Sequence, residues 1–366
     1  MNVLITGGCG FIGVNLIKYL LQQGNYKIRI LDNLSIGNID NVRSVADKHD
    51  KQVVEIGSND DGYYGAETIE LLIGDIRDKD ICMEACKEID AVVHLAAHAG
   101  VVPSIEDPYF DFEVNILGTL NLLFASVKHK VDRFILASSN APLGDQAPPM
   151  DEVKVPAPLS PYGASKLACE GYCSAFYASY GLKTVALRFS NAYGPYSLHK
   201  NSAVAKFLKD SFTKGEMIIY GDGSQTRDFI HVEDLCSAIY ICLTSNDSQS
   251  TEANPINHAN LLNAKKKSAN KIWGEVFHLG TGKGTPVVEL AGYIRELFES
   301  DVRIIYEAER RGEIKINYSD ISRAQNIFGF EPHVDLRCGV REVYEWFASY
   351  EIDSVKMVAN KGQRSG

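Results

Sequence analysis

NVLITGGCGFIG, residues 2–13, is the stretch on which the reading of this chain turns. NVLIT is a short apolar run of the kind that makes a buried strand, and it runs into glycines. Gly7, Gly10 and Gly13 fall three apart at what reads as a strand-to-helix turn. Without side chains there, backbone can approach a pyrophosphate closely, and the N–H groups that open the helix can face its charge. Glycines also make plain tight turns, so the surroundings must carry the reading. The next run, KIRIL from Lys27, ends in LDN and sets Asp32 nineteen residues beyond Gly13, where an acid accepts both ribose hydroxyls of an adenosine. A carboxylate at that point repels a 2′-phosphate, which favours NAD over NADP.

Outward from this stretch, apolar runs recur at AVVHL (from 91), RFILA (133), TVALR (184) and EVFHLG (275), with helical patterns between them. Such alternation implies parallel strands with crossover helices, hence an α/β doubly wound sheet. GDIRD places Asp75 and Ile76 at a strand end suited to an adenine, and HLAA places the small Ala96 and Ala97 where a dinucleotide must cross the sheet. Residues 57–66 are polar and glycine-rich and read as an exposed loop. Residues 245–271 are rich in Asn, Ser and Lys and read as a surface insertion, and the tail from 357 to 366 reads as frayed.

Composition narrows the function classes. Of 366 residues, 45% are hydrophobic and 23% charged, as in an ordinary globular protein. The net charge of −10 disfavours a nonspecific nucleic-acid binder, which needs clustered Lys and Arg. No signal-like leader and no run of about 20 apolar residues is visible, so no membrane and a cytoplasmic location are expected. The eight cysteines contain no C-x-x-C pair and are expected to be reduced thiols.

SPYGASK, residues 160–166, is the second decisive stretch. Ser160 can cap a helix that Pro161 opens, and four residues separate Tyr162 from Lys166, so phenol and ammonium share one face. Taking a proton from a hydroxyl near neutral pH needs a base. A neighbouring ammonium and the positive charge of an oxidised nicotinamide both favour the phenolate.

With these pieces in place, the sequence resembles the extended short-chain dehydrogenase/reductases, specifically the NAD-dependent sugar-nucleotide epimerase/dehydratase family. TGGCGFIG, DN, GDIRD, HLAA, SS before Asn140, YGASK, LRFSNAYGP, GDGSQTRDFIHVEDL and RRGE occur in the family's order over about residues 1–350. The resemblance implies a Rossmann-type sheet with a smaller C-terminal α/β substrate domain. The first would comprise residues 1–188 plus about 225–282, and the second 189–224 and 283–350.

It implies catalytic roles for Tyr162, Lys166 and Ser139, with Lys166 also holding the nicotinamide ribose. NAD contacts would come from Gly7, Gly10, Phe11, Ile12, Gly13, Asp32, Asn33, Asp75, Ile76, Leu95, Ala96, Ala97 and Phe189, together with Tyr162 and Lys166. Substrate contacts would come from Ser139, Asn140, Tyr162, Asn191, Tyr220, Arg227, Arg310 and Asn317, the two arginines converging on a diphosphate. No metal is required. A homodimer through helices near 112–128 and 161–180 is also implied.

The activity this implies is C4 epimerisation of a UDP-sugar through a 4-keto intermediate. The alternatives are a 4,6-dehydratase or decarboxylase, and a non-catalytic NAD-binding protein, the last expected to have lost Tyr162 or Lys166. Two departures bear on the choice. The elimination and decarboxylation enzymes place an acid after the strand-end serine, where this chain has Asn140 and Ala141. The family's usual Val-Tyr is replaced by Pro142-Leu143, which removes a phenol and stiffens the backbone beside the sugar. Asn317, at the family's sugar-size position, leaves room for an N-acetyl or carboxylate substituent without selecting either.

Overall fold

A computed structural model describes residues 1–57, 65, 67–245, 271–299, 301–309 and 314–349. In its N-terminal half, β1 (Asn2–Thr6), α1 (Phe11–Gln23), β2 (Lys27–Asp32), α2 (Ile39–Asp47), β3 (Gln52–Glu55), β4 (Thr68–Ile73), α3 (Lys79–Ala85) and β5 (Ala91–His94) follow one another. Next come α4 (Val101–Glu106), α5 (Pro108–Asp111), a π-helical segment (Phe112–Leu117), α6 (Gly118–Lys128), β6 (Arg133–Ser139), α7 (Pro161–Tyr180) and β7 (Lys183–Phe189). The remainder contains β8 (Asn191–Tyr193), α8 (Ala203–Lys214), β9 (Glu216–Tyr220), β10 (Thr226–Arg227), β11 (Phe229–His231), α9 (Val232–Thr244), β12 (Glu275–Leu279) and β13 (Thr285–Pro286). The final described elements are α10 (Val287–Arg295), β14 (Arg303–Glu307), α11 (Ser322–Phe328) and α12 (Leu336–Ser349).

The apolar runs read from the sequence become one eight-stranded sheet, ordered β12-β7-β6-β5-β1-β2-β4-β3. Its neighbouring strands all pair in parallel. Parallel sheets bury both faces, and the side chains alternate accordingly: Val3 and Ile5 of β1 enter one apolar cluster while Leu4 enters the other. Ile135 and Ala137 of β6 likewise face opposite to Phe134 and Leu136. Strand order reverses between β1 and β5, the point at which open α/β sheets take their ligands. A third cluster, built on α8, α10 and α12, holds the C-terminal region together with the pairs β14-β9 and β10-β13. All eight cysteines are free thiols, and only Cys338 is exposed.

One helical run is more apolar than the sequence reading noted. Pro108–Lys128 is a helical run of 21 residues with mean hydropathy 1.2, long and apolar enough by composition to cross a membrane. Its apolar character escapes notice because Asn115, Thr119, Asn121 and Ser126 are spread through it. Those four are buried against the rest of the fold, whereas Tyr109, Phe112, Leu117 and Phe124 face outward. Half of the run is buried inside the protein. The 245–271 insertion and the 357–366 tail fall almost wholly outside the described residues, as does most of the 57–66 loop.

Candidate active site

The cofactor cradle is made mostly of backbone. Gly7 has φ +67°, and a Cβ on it would lie 2.8 Å from the Ala96 nitrogen; on Gly13 it would lie 2.5 Å from the Gly7 oxygen. The turn is therefore closed to side chains. Gly10 caps α1 with no side-chain hydrogen bond, which leaves the first N–H groups of the helix available to an anion. Phe11 and Ile12 open that helix, as the motif implies.

Asp32 ends β2, and its carboxylate accepts from the Cys9 N–H at 2.9 Å and the Leu34 N–H at 2.8 Å. Burial pushes its pKa up, and these two donors partly offset that. Asn33 donates to Asp75 at 3.1 Å. Burial alone would raise Asp75, but hydrogen bonds from Arg77 and Asn33 outweigh it and hold the carboxyl below its usual range. Ile76 is buried just after β4. The Leu95 N–H donates to the Thr6 carbonyl and the Ala96 N–H to Thr6 Oγ1, tying the ends of β1 and β5 together. Ala97 follows in the same loop, half-buried. An uncapped helix end, a glycine turn sealed against Ala96 and a buried acid at the end of β2 fit a dinucleotide.

Across the switch point, β6 and α7 bring the three candidate catalytic residues together. Ser160 Oγ accepts from the Gly163 N–H at 3.1 Å, Pro161 opens the helix, and Gly181 closes it in the left-handed conformation. This places Tyr162, half-buried, in the first turn. Lys166 is only 4% exposed, and its Nζ lies 5.9 Å from the Tyr162 ring centre. The same ammonium donates to the Ala137 carbonyl at 3.0 Å, two residues before Ser139. Ser139 Oγ accepts from the Ala141 N–H at 3.2 Å, and Phe189 is its register partner on β7.

Sequence reading missed Asn115. It sits in the π-helical segment, where its Oδ1 accepts from the His98 N–H at 2.8 Å. Its amide donates to Asp111 at 2.9 Å and to Ser165 Oγ at 3.1 Å. Ser165 precedes Lys166, so Asn115 braces α7 beside the candidate catalytic lysine. The available signal was a polar residue inside an apolar helical run, and π-helical turns recur at functional sites.

A cleft of about 180 Å³ opens between β8, α8, β9 and β10. Asn191, Tyr220 and Arg227 line it, joined by Asn201, Lys206 and Gln225, which the sequence had not singled out. Gln225 donates to the Tyr220 carbonyl at 2.9 Å, and Arg227 Nη1 donates to the carbonyls of Thr226 and Ile314. Asn317 Oδ1 and Thr226 Oγ1 are buried with no hydrogen-bond partner among the described residues. Arg310 lies outside the described residues. Pro142 and Leu143 are buried in a short 3₁₀ turn after β6.

Asn140 does not stand open to a sugar as the sequence suggested. Its amide group is committed to Ser319 at 2.9 Å, Ser190 at 3.3 Å and His278 at 2.8 Å. Elsewhere, His231, Glu233 and Glu342 have ligand atoms within 4.8 Å of one another. The Glu233 N–H donates to His231 Nδ1, which leaves the ring proton on Nε2, facing Glu342 at 3.4 Å. At that separation His231 Nε2 makes no hydrogen bond among the described residues, and with Nδ1 engaged the ring aims no lone pair at a cation.

Residues 3–257 match the NAD dependent epimerase/dehydratase family, and the chain belongs to that family. A relative from Methanocaldococcus jannaschii, itself assigned only provisionally as a UDP-glucose 4-epimerase, is 33% identical over 349 residues, 94% of this chain and 97% of its own. A solved UDP-N-acetylglucosamine 4-epimerase from Methanobrevibacter ruminantium, in complex with UDP-N-acetylmuramic acid, superposes with TM-score 0.78. It is 30% identical, over 95% of this chain and 98% of its own. A dTDP-glucose 4,6-dehydratase from Streptomyces venezuelae with NAD bound gives the same TM-score, 0.78, at 26% identity over 96% and 98%. Equal fold similarity to two different reactions leaves the choice to individual residues.

Proposed function

We propose that the protein is a UDP-sugar 4-epimerase. The observation that carries this reading is the turn after Ser139. Tyr162, Lys166 and Ser139 stand together, yet Asn140 and Ala141 offer no acid for elimination, and the Asn140 amide is already taken up by Ser190, Ser319 and His278.

In this mechanism Ser139 hydrogen-bonds the sugar O4 and Tyr162 accepts its proton, while the Lys166 ammonium favours the charge that develops on the phenol oxygen. Bound NAD supplies the oxidised nicotinamide that takes the C4 hydride and returns it. The 4-keto sugar turns about its diphosphate linkage while Arg227 and Asn191 keep the nucleotide end in the cleft. Tyr162 then gives the proton back to O4 on the opposite face. Asn317, whose carbonyl has no partner among the described residues, would accept a hydrogen bond from a sugar substituent.

Incubating the protein with a panel of UDP-sugars and reading products by NMR tests the assignment. C4 epimers support it. Products lacking water or CO₂ would favour the dehydratase or decarboxylase reading, and no conversion of any sugar would favour a binding protein.

The proposal extends to context. The first domain would hold NAD and the second the UDP-sugar, consistent with the separate apolar cluster around α8, α10 and α12. A homodimer would cover the outward face of Pro108–Lys128, where Tyr109 is 83% and Phe112 52% exposed, together with Gly171 and Tyr172 of α7, also exposed. On that view the run is an interface rather than a membrane span. A cytoplasmic place in polysaccharide biosynthesis follows from the UDP-sugar chemistry.

A further inference from the structure

Five segments that supply candidate catalytic or substrate residues also carry, within four positions, a polar residue hydrogen-bonded within the protein. Asn140 follows Ser139, Glu170 lies one turn beyond Lys166, Ser190 precedes Asn191, Asp228 follows Arg227, and Ser319 stands two beyond Asn317. These residues form one connected chain.

Glu170 receives Ser138 Oγ at 2.6 Å and a two-point contact from Arg188 at 2.8 and 2.7 Å. Arg188 Nη1 reaches His278 Nε2 at 3.3 Å, and His278 Nδ1 reaches Asn140 Oδ1 at 2.8 Å. Asn140 Nδ2 continues to Ser319 and Ser190, whose hydroxyls lie 2.9 Å apart. Asp228 closes the chain, accepting from the Ser319 N–H at 3.1 Å and from the Thr281 N–H and hydroxyl, each at 2.7 Å.

The direction of these bonds is set from one end. A guanidinium has only donors, so His278 Nε2 must accept, and the ring proton therefore sits on Nδ1. That proton points to the oxygen of Asn140, with the Asp151 carbonyl also in reach of the ring, and the Asn140 amide nitrogen is left toward the two serines. His278 is fully buried, and burial with the nearby Arg188 charge pushes its pKa down to about 3, so the ring stays neutral at working pH. A satisfied polar chain of this kind fixes geometry at a cost that an apolar core would avoid.

We propose that this chain is the device that holds the Ser139 turn in register with the catalytic helix and the substrate strands, with His278 as its central positioning residue. None of its members needs to touch the sugar. His278 acts through Asn140 on the adjacent Ser139, and a misplacement near 1 Å at such a site costs up to about 10²-fold in rate.

Three variants separate hydrogen bonding from the filling of space. His278→Asn keeps a donor near the place of Nδ1 in a smaller side chain. His278→Gln reaches toward Arg188 and gives up the bond to Asn140. His278→Phe keeps the ring volume without a polar atom. The expected kcat falls by at least about 10-fold in the Gln and Phe variants and stays within about 3-fold of wild type in Asn. KM for the UDP-sugar moves less than about 3-fold in all three, with bound NAD unchanged. A kcat for Phe above that for Asn would overturn the proposal, because that is the order packing alone produces.

These assays rest on the 4-epimerase reading, so a second readout needs no turnover. Nitrogen-15 NMR of the His278 ring is expected to show the Nδ1-protonated tautomer, and the Nε2-protonated form would overturn the proposal. Failure of wild type to convert any UDP-sugar would instead sink the 4-epimerase reading and leave the tautomer result standing as the test of the chain.

Discussion

The cofactor cradle and the substrate cleft are built on opposite principles. The cradle is backbone against backbone: Gly7 and Gly13 admit no Cβ, and the ligand-facing groups are the amides at the start of α1. The cleft is side chain against side chain, with Asn191, Lys206, Tyr220, Gln225 and Arg227 drawn from β8, α8, β9, β10 and the turns between them. A backbone surface can hold only one shape of ligand, and a dinucleotide shared by many reactions suits it. A side-chain surface can be altered one residue at a time, so it is where the identity of the sugar is decided. Tyr162 and Lys166 on α7 and Ser139 at the end of β6 belong to neither.

The sharpest way to press this contrast is at these three residues. Tyr162→Phe removes the proton acceptor and leaves both surfaces intact, so kcat should drop by at least about 10²-fold while bound NAD and UDP affinity stay as in wild type. Loss of bound NAD in that variant would mean the phenol serves the cradle instead.

A smaller effect is expected inside the cradle. Gly7→Ala forces a side chain into a left-handed turn at φ +67° and against Ala96, at roughly 1–3 kcal/mol. The purified protein should carry about 10-fold less NAD, read from its absorbance spectrum after denaturation. Lys206→Ala, in the cleft, should leave NAD content untouched and alter only UDP-sugar binding, by about 1 kcal/mol in calorimetry. If both variants lose NAD equally, the two surfaces are not independent.

How far the sequence could be read follows the same division. Local patterns were legible: the buried strands, the glycine turn, Asp32 at the end of β2, and the Ser160 cap that sets Tyr162 and Lys166 on one face. Contacts made across the fold were not. The partners of Asn140 lie 50, 138 and 179 positions away, so nothing near it could show that its amide was already engaged. Asn115 was hidden for a related reason, since its role depends on His98 and Ser165 meeting it in three dimensions. The Pro108–Lys128 run was missed because polar residues on its inner face broke up its apolar pattern.

The buried chain around His278 gives an effect that depends on pH. His278 has its pKa depressed to about 3, so it contributes stability that is present above the unfolded value near 6.5 and is lost as pH falls below it. The stability difference between wild type and His278→Asn, measured by urea melts, should narrow as pH drops from 7 to 5, by up to about 1.4 kcal/mol per unit below 6.5. A gap that stays constant would mean the imidazole is not held neutral.

The central claim is that C4 is oxidised and reduced on the enzyme with no elimination. It is tested most directly by NMR of the reaction in deuterated water. The expected product is the C4 epimer with its original hydrogen still on C4 and no deuterium on any ring carbon, because the hydride leaves and returns without meeting solvent. A 6-deoxy-4-keto product, or deuterium at C5, would contradict the account.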